Sequence, residues 1–454
     1  MRKLILSLIV CHLTFSQAIA QRQWSLDECM DYAIAHNLEI KHQQHEWQRR
    51  KINVQSSKDA RLPQFSGDTE GYVGTFRHTS DGTHFNINES LLSIGMTGAV
   101  PLYTGNRLSS QIKANKYSLM AVEEEMRSSE KDIRVQVAAA YLQLLYNKGE
   151  ASIAKQRQKV SQLLLKRAHS MFDKGKRPES DVVEATAMVT RDEALLTAAE
   201  GDIALAKLDL MMLLNLPDSI DFDICDPTDS MDAVPLLQSH SLDTISSYHP
   251  AVQSANYSIL QAEQGVKTAR SGYIPTLSLV GELGTFWVNL DTKTTLNGEM
   301  PILIPWGKVG DIRYHFNSET EWKRKNFFHG FAGLKLSIPI FNAFETRARI
   351  RTAKVNLEEA RLAYDDARQR VRKDIRQAWQ GAVTAHKRYE AELKAEESNE
   401  LAYRYALKRY DAGMITIFDL SQIRQQWFTA SENALRMKYE YLIRKRILDI
   451  HTRE

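Results

Sequence analysis

Two long stretches of the chain, 106–170 and 343–409, contain no proline and one glycine each. Both are rich in Ala, Glu, Lys, Arg, Gln and Leu, which are good helix formers. At 1.5 Å per residue, a helix of about 65 residues spans roughly 100 Å, far more than a helix of an ordinary globular domain. In the first stretch Leu119, Val122 and Met126 continue an apolar pattern with steps of three, four and seven. This spacing predicts very long helices packed side by side, as in a coiled coil.

The same short motifs occur twice along the chain. Residues 61–63 (RLP) correspond to 273–275 (YIP) at an offset of 212, and 100–102 (VPL) correspond to 338–340 (IPI) at an offset of 238. A single insertion of 26 residues in the second half accounts for the change of offset. Two constant offsets indicate that the chain contains two internal repeats.

The repeats set the expected organisation of the chain. The first covers residues 21–216 and the second covers 249–454, and the segment between them, 217–248, holds three prolines and a group of aspartates. Proline and aspartate at this density are typical of a connecting segment. We therefore interpret 217–248 as the linker between the two repeats.

Each repeat has a segment with the period-two pattern of β-strands, 64–100 in the first and 276–338 in the second. Two sets of residues are expected on opposite faces of the second segment, Leu277, Leu279, Leu283 and Trp287 on one and Ser278, Glu282 and Gly284 on the other. We predict one β-hairpin in each segment, with strands long enough for a tilted membrane strand. The inserted residues, which include Trp306 and Trp322, are interpreted as an extracellular loop or as an extended strand pair.

A short break follows each long helical stretch. Residues 172–181 (FDKGKRPESD) and 410–419 (YDAGMITIFD) share an aromatic residue, a glycine three positions later and an aspartate six positions after that. Glycine closes a helix by adopting the left-handed conformation, so Gly175 and Gly413 predict helix ends. Asp181 and Asp419 fall in the first turns of the returning helices, where the helix dipole favours an anion. A well-placed cap accounts for the glycines almost fully and for the aspartates only in part.

The N-terminus resembles an export signal. Arg2 and Lys3 precede an apolar core, and Ala18-Ile19-Ala20 is a typical cleavage site, which predicts a signal peptide over residues 1–20. An uncleaved anchor is the alternative, but the core is too short to span a bilayer. Cys29 and Cys225 remain in the mature chain, and an oxidising compartment permits a disulfide between them.

Composition excludes several functions. The formal charge of +3 falls to +1 without Arg2 and Lys3, so nucleic-acid binding is not expected. No apolar run after the signal approaches the length of a membrane-spanning helix. The sequence has no motif of a hydrolase nucleophile, a phosphate-binding loop or a zinc protease, and two histidines on one helix face, His42 and His45, are too few for a metal site. We expect no enzymatic activity, no cofactor and no bound metal.

Two strands per repeat give four strands per chain, and this number has a physical consequence. Open sheet edges cannot face lipid, and closed barrels begin near eight strands. One chain therefore cannot close a barrel, whereas two, three or four copies can. The alternative is a periplasmic or secreted coiled-coil scaffold without a membrane barrel, which leaves the two alternating segments unexplained.

In the order and spacing of these features the chain resembles the outer-membrane efflux channel family of TolC type. The motifs that carry the resemblance are the signal, the ARLP and YIP helix ends, VPLYTG, IPIFNA, AAAYLQLLY and the two turns. The resemblance implies a mainly α-helical homotrimer with a twelve-stranded outer-membrane β-barrel and a long periplasmic α-helical barrel, with 217–248 in its equatorial region. It also implies a periplasmic adaptor and an inner-membrane transporter as partners, with outer-membrane lipid around the barrel. The cargo, drug, metal or secreted protein, stays open.

The resemblance also assigns candidate site residues at the helical tips, 172–181 and 410–419. It implies that Asp419 faces the pore entrance as a ring of three carboxylates and that Asp181 and Tyr410 contribute to neighbouring constriction contacts. Family members carry a second acid one turn later, where this chain has Gln422. Close carboxylates raise one another's pKa and attract cations. Four charged residues of the first tip are interpreted as solvated turn residues, with adaptor recognition as the alternative: Lys174, Lys176, Arg177 and Glu179.

Overall fold

A computed structural model of the chain describes residues 23–80, 83–217, 222–225, 239–291, 297–304, 307–315 and 325–453. The predicted signal peptide, Trp306 and Trp322 lie outside the described residues. The described chain is mainly α-helical, as the composition of the long stretches predicts. No helix in the described part has a stretch long and apolar enough to cross a membrane.

The helices include two of 67 residues, each followed by a helix of about half that length. In chain order they are α1 (Leu26–His36), α2 (Leu38–Asp59), α3 (Arg107–Asp173), α4 (Glu179–Leu214), α5 (Ser239–Tyr248), α6 (Pro250–Arg270), α7 (Glu345–Asp411) and α8 (Ile417–Arg453). The two long helices agree with the predicted stretches to within three residues at each end. Helix α5 lies inside the segment that the sequence assigns to a linker.

The strands form three sheets among the described residues. In chain order they are β1 (Gln23–Trp24), β2 (Gln64–Ser80), β3 (Thr83–Tyr103), β4 (Asp223–Ile224), β5 (Thr276–Asp291), β6 (Asn297–Ile304), β7 (Gly307–His315) and β8 (Lys325–Ser337). The largest sheet is antiparallel with the order β2-β3-β5-β8, so β2 and β8 are its edges. Strands β6 and β7 pair with each other. The inserted residues therefore contain a strand pair, the second of the two interpretations given above.

The register of the four-stranded sheet separates an apolar face from a polar face. Leu92 pairs with Trp287, Met96 with Leu283 and Val100 with Leu279, and directly paired residues share a face. The apolar face also carries Phe65, Ile94, Leu334 and Leu336, all exposed. The polar face carries Ser66, Asp68, Glu70, Thr97, Ser278, Glu282 and Lys335, with Phe286, Phe327 and Phe331 among them. The predicted alternation along the second segment is confirmed.

The chain divides into two compact units. The first contains the described residues of 1–47, 121–255 and 363–454, and the second contains 48–120 and the described residues of 256–362. The second unit holds the large sheet and the helix segments that lead into it. The first unit holds three apolar clusters, one of which surrounds the turns between the long and the shorter helices.

Tyr141, inside the AAAYLQLLY motif, anchors the largest cluster of the first unit. Its side chain is fully buried, and its hydroxyl lies 3.0 Å from the Trp24 carbonyl oxygen and 2.5 Å from the Cys225 carbonyl oxygen. These carbonyls belong to or adjoin the parallel pair β1–β4. Cys29 and Cys225 are both free thiols. Burial raises the pKa of the Cys29 thiol to about 12, so this thiol is inert at neutral pH.

Candidate functional site at the helical tips

Each long helix ends in the same hydrogen-bonded turn. Gly175 has φ of 67° and Gly413 has φ of 78°, the left-handed region that side chains with a Cβ rarely adopt. The Gly175 N–H donates to the Phe172 carbonyl at 2.7 Å, and the next N–H along donates to the Met171 carbonyl at 2.9 Å. The second turn repeats both bonds, from residues 413 and 414 to residues 410 and 409, at 2.9 Å each. This is the Schellman arrangement, and it reverses the chain within the five residues between α3 and α4 and the five between α7 and α8.

In the second turn, Asp419 closes a capping box with Thr416. The Asp419 carboxylate accepts the Thr416 N–H at 3.0 Å and its hydroxyl at 2.7 Å, while the Asp419 N–H donates back to the hydroxyl at 3.1 Å. These bonds hold the pKa of Asp419 below its usual range. The carboxylate is nevertheless exposed, and Gln422, also exposed, lies three residues on along the same face of α8.

In the first turn, Asp181 has a different environment. The N-cap position of α4 is Pro178, which makes no side-chain capping bond. Asp181 is only 7% exposed, and its Oδ2 accepts a hydrogen bond from the Tyr410 hydroxyl at 3.3 Å. Burial and the charge of Asp181 raise the pKa of Tyr410 to about 12, so the phenol keeps its proton and donates throughout the neutral range. The structure thus brings Asp181 and Tyr410 together and leaves Asp419 apart from them.

Arg177 ties the two turns to each other. Its Nη2 donates to the Tyr410 carbonyl at 3.1 Å and to the Ile415 carbonyl at 2.8 Å, and its guanidinium carbon lies 4.7 Å from the centre of the Tyr410 ring. Its Nε lies 3.9 Å from the Asp181 Oδ2. The prediction that Arg177 is a solvated turn residue is therefore wrong. The local sequence is polar, as in a solvated turn, but the end of the neighbouring helix leaves carbonyls that need donors.

The other charged residues of the first turn behave as their context predicts. Lys174, Lys176 and Glu179 are all exposed. Their exposure is consistent with solvated turn residues, and adaptor recognition stays the alternative for these three positions. The first tip therefore has one half-buried cation and an exposed charged rim.

A second polar cluster lies farther along the same helices, and the sequence analysis did not predict it as a site. The Arg424 Nη1 lies 2.6 Å from the Asp192 Oδ2, and both side chains are at most 5% exposed. Arg157, also buried, pairs with Glu432 at 2.8 Å, and the Nε atoms of Arg157 and Arg424 have no hydrogen-bond partner among the described residues. The signal for Asp192 was its spacing of four from Met188, which places it on the buried face of α4.

The site combines a structured tip with an exposed acid. Within the described ranges no group of three or more His, Cys, Asp or Glu is arranged to hold a metal ion. Asp181, Tyr410 and Arg177 are all engaged with one another. Of the two candidate gate acids, Asp181 is buried and Asp419 is exposed.

Comparison with known proteins identifies the family of the chain. The profile of the outer membrane efflux protein family matches residues 30–216 and 242–449. The chain is 23% identical over 372 residues to the outer membrane efflux protein BepC of Brucella suis, covering 81% of this chain and 72% of that protein. It is 21% identical over 345 residues to the alkaline protease secretion protein AprF of Pseudomonas aeruginosa, covering 75% and 65%.

Solved structures show the same fold. The outer-membrane channel CmeC of Campylobacter jejuni superimposes with a TM-score of 0.71 at 18% identity, over 94% of this chain and 85% of that one. A crystal structure of CusC superimposes with a TM-score of 0.75 at 16% identity, over 94% and 91%. The class of protein is thus an outer-membrane channel with a long helical portion. The chain belongs to the outer membrane efflux protein family.

Proposed function

We propose that three copies of the chain close a twelve-stranded β-barrel in the outer membrane. The four-stranded sheet has an apolar, exposed face and a polar face, which suits strands between lipid and a water-filled lumen. Its two edges, β2 and β8, need partners, because an unpaired backbone group in lipid costs several kcal/mol. In this proposal, edge strands of neighbouring subunits pair and remove all free edges.

The proposal includes two repeats within each subunit, 21–216 and 249–454, joined by the equatorial segment 217–248. Its support is the match in length between corresponding elements: α3 and α7 both have 67 residues, and α4 and α8 have 36 and 37. Three subunits then contribute twelve such helices to a periplasmic α-helical barrel that continues the β-barrel.

The assembled protein is a passive exit duct. A periplasmic adaptor and an inner-membrane transporter supply the contact and the energy, and cargo passes from the transporter through the duct to the exterior. The relatives named above are an efflux protein and a protease secretion protein, which supports a duct that is permissive toward cargo. No catalysis is assigned to the chain.

The tips form the periplasmic gate of the duct. Asp419 and Gln422 share an exposed face of α8, so a three-fold axis brings three carboxylates and three amides into one ring. The Asp181–Tyr410 contact, held by Arg177, fixes the neighbouring turn against this ring. A single ring of carboxylates binds cations, and it binds them more weakly than the two rings that a second acid in place of Gln422 would provide.

The exposed apolar face of the large sheet is the observation that carries the proposal. A soluble coiled-coil scaffold has no use for a sheet with Phe65, Leu334 and Leu336 more than half exposed. A membrane accounts for that exposure directly. The scaffold alternative predicts recovery in the soluble periplasmic fraction.

Single-channel recording in planar bilayers tests the proposal. Purified protein is expected to run as a trimer in detergent and to open pores of uniform conductance that multivalent cations block from the periplasmic side. Asp419→Ala combined with Asp181→Ala should raise the conductance and weaken the block, whereas Lys174→Ala should change neither. A folded protein that remains monomeric and forms no pores would overturn the proposed duct. Pores with unchanged conductance and block in the double variant would remove the acids from the gate and leave the duct intact.

A further inference from the structure

Four segments of the second unit meet where the helices join the large sheet. They are 58–63, 104–110, 267–275 and 338–351, and we call them the junction collar. Their contacts place them side by side: the Arg61 Nη2 donates to the Ser109 hydroxyl at 3.0 Å, and a Cβ on Gly105 would lie 2.7 Å from the Ile274 Cβ. A Cβ on Gly272 would lie 2.9 Å from the Thr346 hydroxyl oxygen. The collar is therefore one continuous surface at one end of the sheet.

The collar carries a strong excess of positive charge. Its acids are Asp59 and Glu345, of which Glu345 pairs with Arg349 and Asp59 accepts a hydrogen bond from Gln55. Its cations are all exposed: Lys58, Arg61, Arg107, Lys267, Arg270, Arg347, Arg349 and Arg351. Apart from Arg61 and Arg349, the side chains of these cations make no hydrogen bond or ion pair to another described residue. Such a cluster fits an anionic surface.

Exposed apolar side chains lie beside these cations. Ile338 and Ile340 continue the alternate positions of Leu336 on the apolar face, and Ile340 is 94% exposed. Phe341 and Phe344, both exposed, meet edge to face with ring centres 5.5 Å apart. Leu62 and Tyr273 of the collar are also exposed, and so are Leu102 and Tyr103, which directly precede the segment 104–110. An apolar band that ends in aromatic rings and cations is typical of a membrane–water boundary.

We propose that the junction collar binds the anionic headgroups of glycerophospholipids in the periplasmic leaflet. This inference rests on the proposed function, because the barrel must lie in the membrane for the collar to meet its surface. The helices that leave the collar are then periplasmic, so the leaflet in contact is the inner one. The apolar and aromatic side chains enter the acyl boundary, and the cations hold phosphate and acidic headgroups above it. A ring of anionic lipid at this level fixes the depth of the barrel.

Spin-label electron paramagnetic resonance measures this selectivity directly. The full chain is reconstituted as a trimer in phosphatidylcholine bilayers with a trace of spin-labelled phosphatidylglycerol or spin-labelled phosphatidylcholine. Since each basic residue near a membrane surface contributes appreciably to anionic-lipid attraction, we expect the anionic label to associate roughly fivefold more strongly. Salt at about 0.5 M should reduce the preference, because screening is then effective within a few ångströms.

The matched variants separate collar charge from overall charge. One carries Arg107→Gln, Arg270→Gln, Arg347→Gln and Arg351→Gln, and the preference should fall to near unity. The control removes four exposed cations of the first unit by Lys155→Gln, Lys159→Gln, Lys387→Gln and Arg388→Gln, and it should keep the preference of the unmodified protein. Trimer content and helicity are checked for each.

The outcomes distinguish the inference from the proposed function. A trimer that inserts and conducts but shows no preference for phosphatidylglycerol would contradict lipid binding by the collar and would not affect the proposed duct. An equal loss of that preference in the collar variant and the control variant would have the same meaning. A stronger preference for added lipid A, whose phosphates belong to the opposite leaflet, overturns the assignment to the periplasmic leaflet. Protein that inserts into no bilayer overturns the duct and the collar together. If the collar variant does not form trimers, the salt dependence of the unmodified protein is the test. A ratio of bound phosphatidylglycerol label to bound phosphatidylcholine label that does not change with salt would contradict lipid binding by the collar.

Discussion

The two helical tips have the same backbone and use their aspartates differently. Both reverse the chain through a glycine with positive φ and the same pair of turn hydrogen bonds. Asp419 is exposed and bonds within its own turn to Thr416. Asp181, at the corresponding position, is buried and bonds to Tyr410 across the gap between the turns.

The residue three positions before each aspartate explains why the two aspartates make different hydrogen bonds. A capping box needs an N–H and a side-chain hydroxyl at the N-cap, and Thr416 supplies both. Pro178 has neither a backbone N–H nor a hydroxyl, so Asp181 has no local donor of this kind and turns toward Tyr410 and Arg177 instead. The difference between Thr416 and Pro178 at the N-cap thus decides whether the aspartate caps its own helix or bonds to the other turn.

Removing the hydrogen bond between Asp181 and Tyr410 should have the largest effect on the stability of the two turns. Asp181→Ala leaves the buried Tyr410 hydroxyl without its acceptor and the half-buried Arg177 without its carboxylate, and an unsatisfied buried group costs about 2 kcal/mol. Hydrogen exchange followed by mass spectrometry should show lost protection in both turns, although only the first is mutated. The matched control is Lys174→Ala, an exposed residue of the same turn. Loss confined to the first turn would contradict a stabilising bond between the two turns.

Replacing Arg177, which contacts both turns, should have the next largest effect on their stability. Arg177→Lys keeps the charge, but a lysine cannot reproduce the planar guanidinium that reaches two carbonyls and lies over the Tyr410 ring. We expect a loss of about 1.5 kcal/mol, since hydrogen bonds to charged groups are worth this much. Exchange at residues 410–416 reports it, with Lys176→Gln as control. Protection equal to that of the control would mean that charge alone holds the turns together.

The two N-caps should respond unequally to alanine. Thr416→Ala removes a side-chain cap and should cost roughly 1 kcal/mol at the start of α8, whereas Pro178→Ala removes no capping bond and should cost clearly less. Local exchange at the first turns of α4 and α8 measures both. Equal losses at the two helices would break the explanation of the tips by their N-cap residues.

Acid should act on the second tip through its capping box. The pKa of Asp419 is lower in the folded protein than in the unfolded chain, so its contribution is present above the usual carboxyl pKa, near 4, and is lost as pH falls through the folded pKa. Protection at the start of α8, corrected for intrinsic exchange, should therefore decline in acid, and Asp419→Asn should flatten the decline. The effect is the smallest of the four because the carboxylate is exposed. If protection in the Asp419→Asn variant declines as steeply as in the unmodified chain, another group is responsible for the acid sensitivity.

The sequence patterns of this chain differ in how reliably they predict its structure. Long proline-free stretches predict α3 and α7 to within three residues, because their hydrophobic period and helix formers agree over many turns. Alternation predicts the two faces of the sheet because side chains in a strand point to opposite sides. The prediction for Arg177 is wrong because its acceptors are carbonyls more than 230 residues away in the chain. No local pattern encodes such a distance.

The sequence by itself determined the long helices, the alternating strands and the glycine turns, since each follows from residues that are neighbours along the chain. Tertiary structure decided what the polar residues inside this framework do. It placed Asp181 on Tyr410 and Asp192 on Arg424, and it left Cys29 and Cys225 as separate thiols. The physical reason is that a buried charge must find a partner wherever the packing brings one within reach, and packing joins segments that are far apart in the sequence.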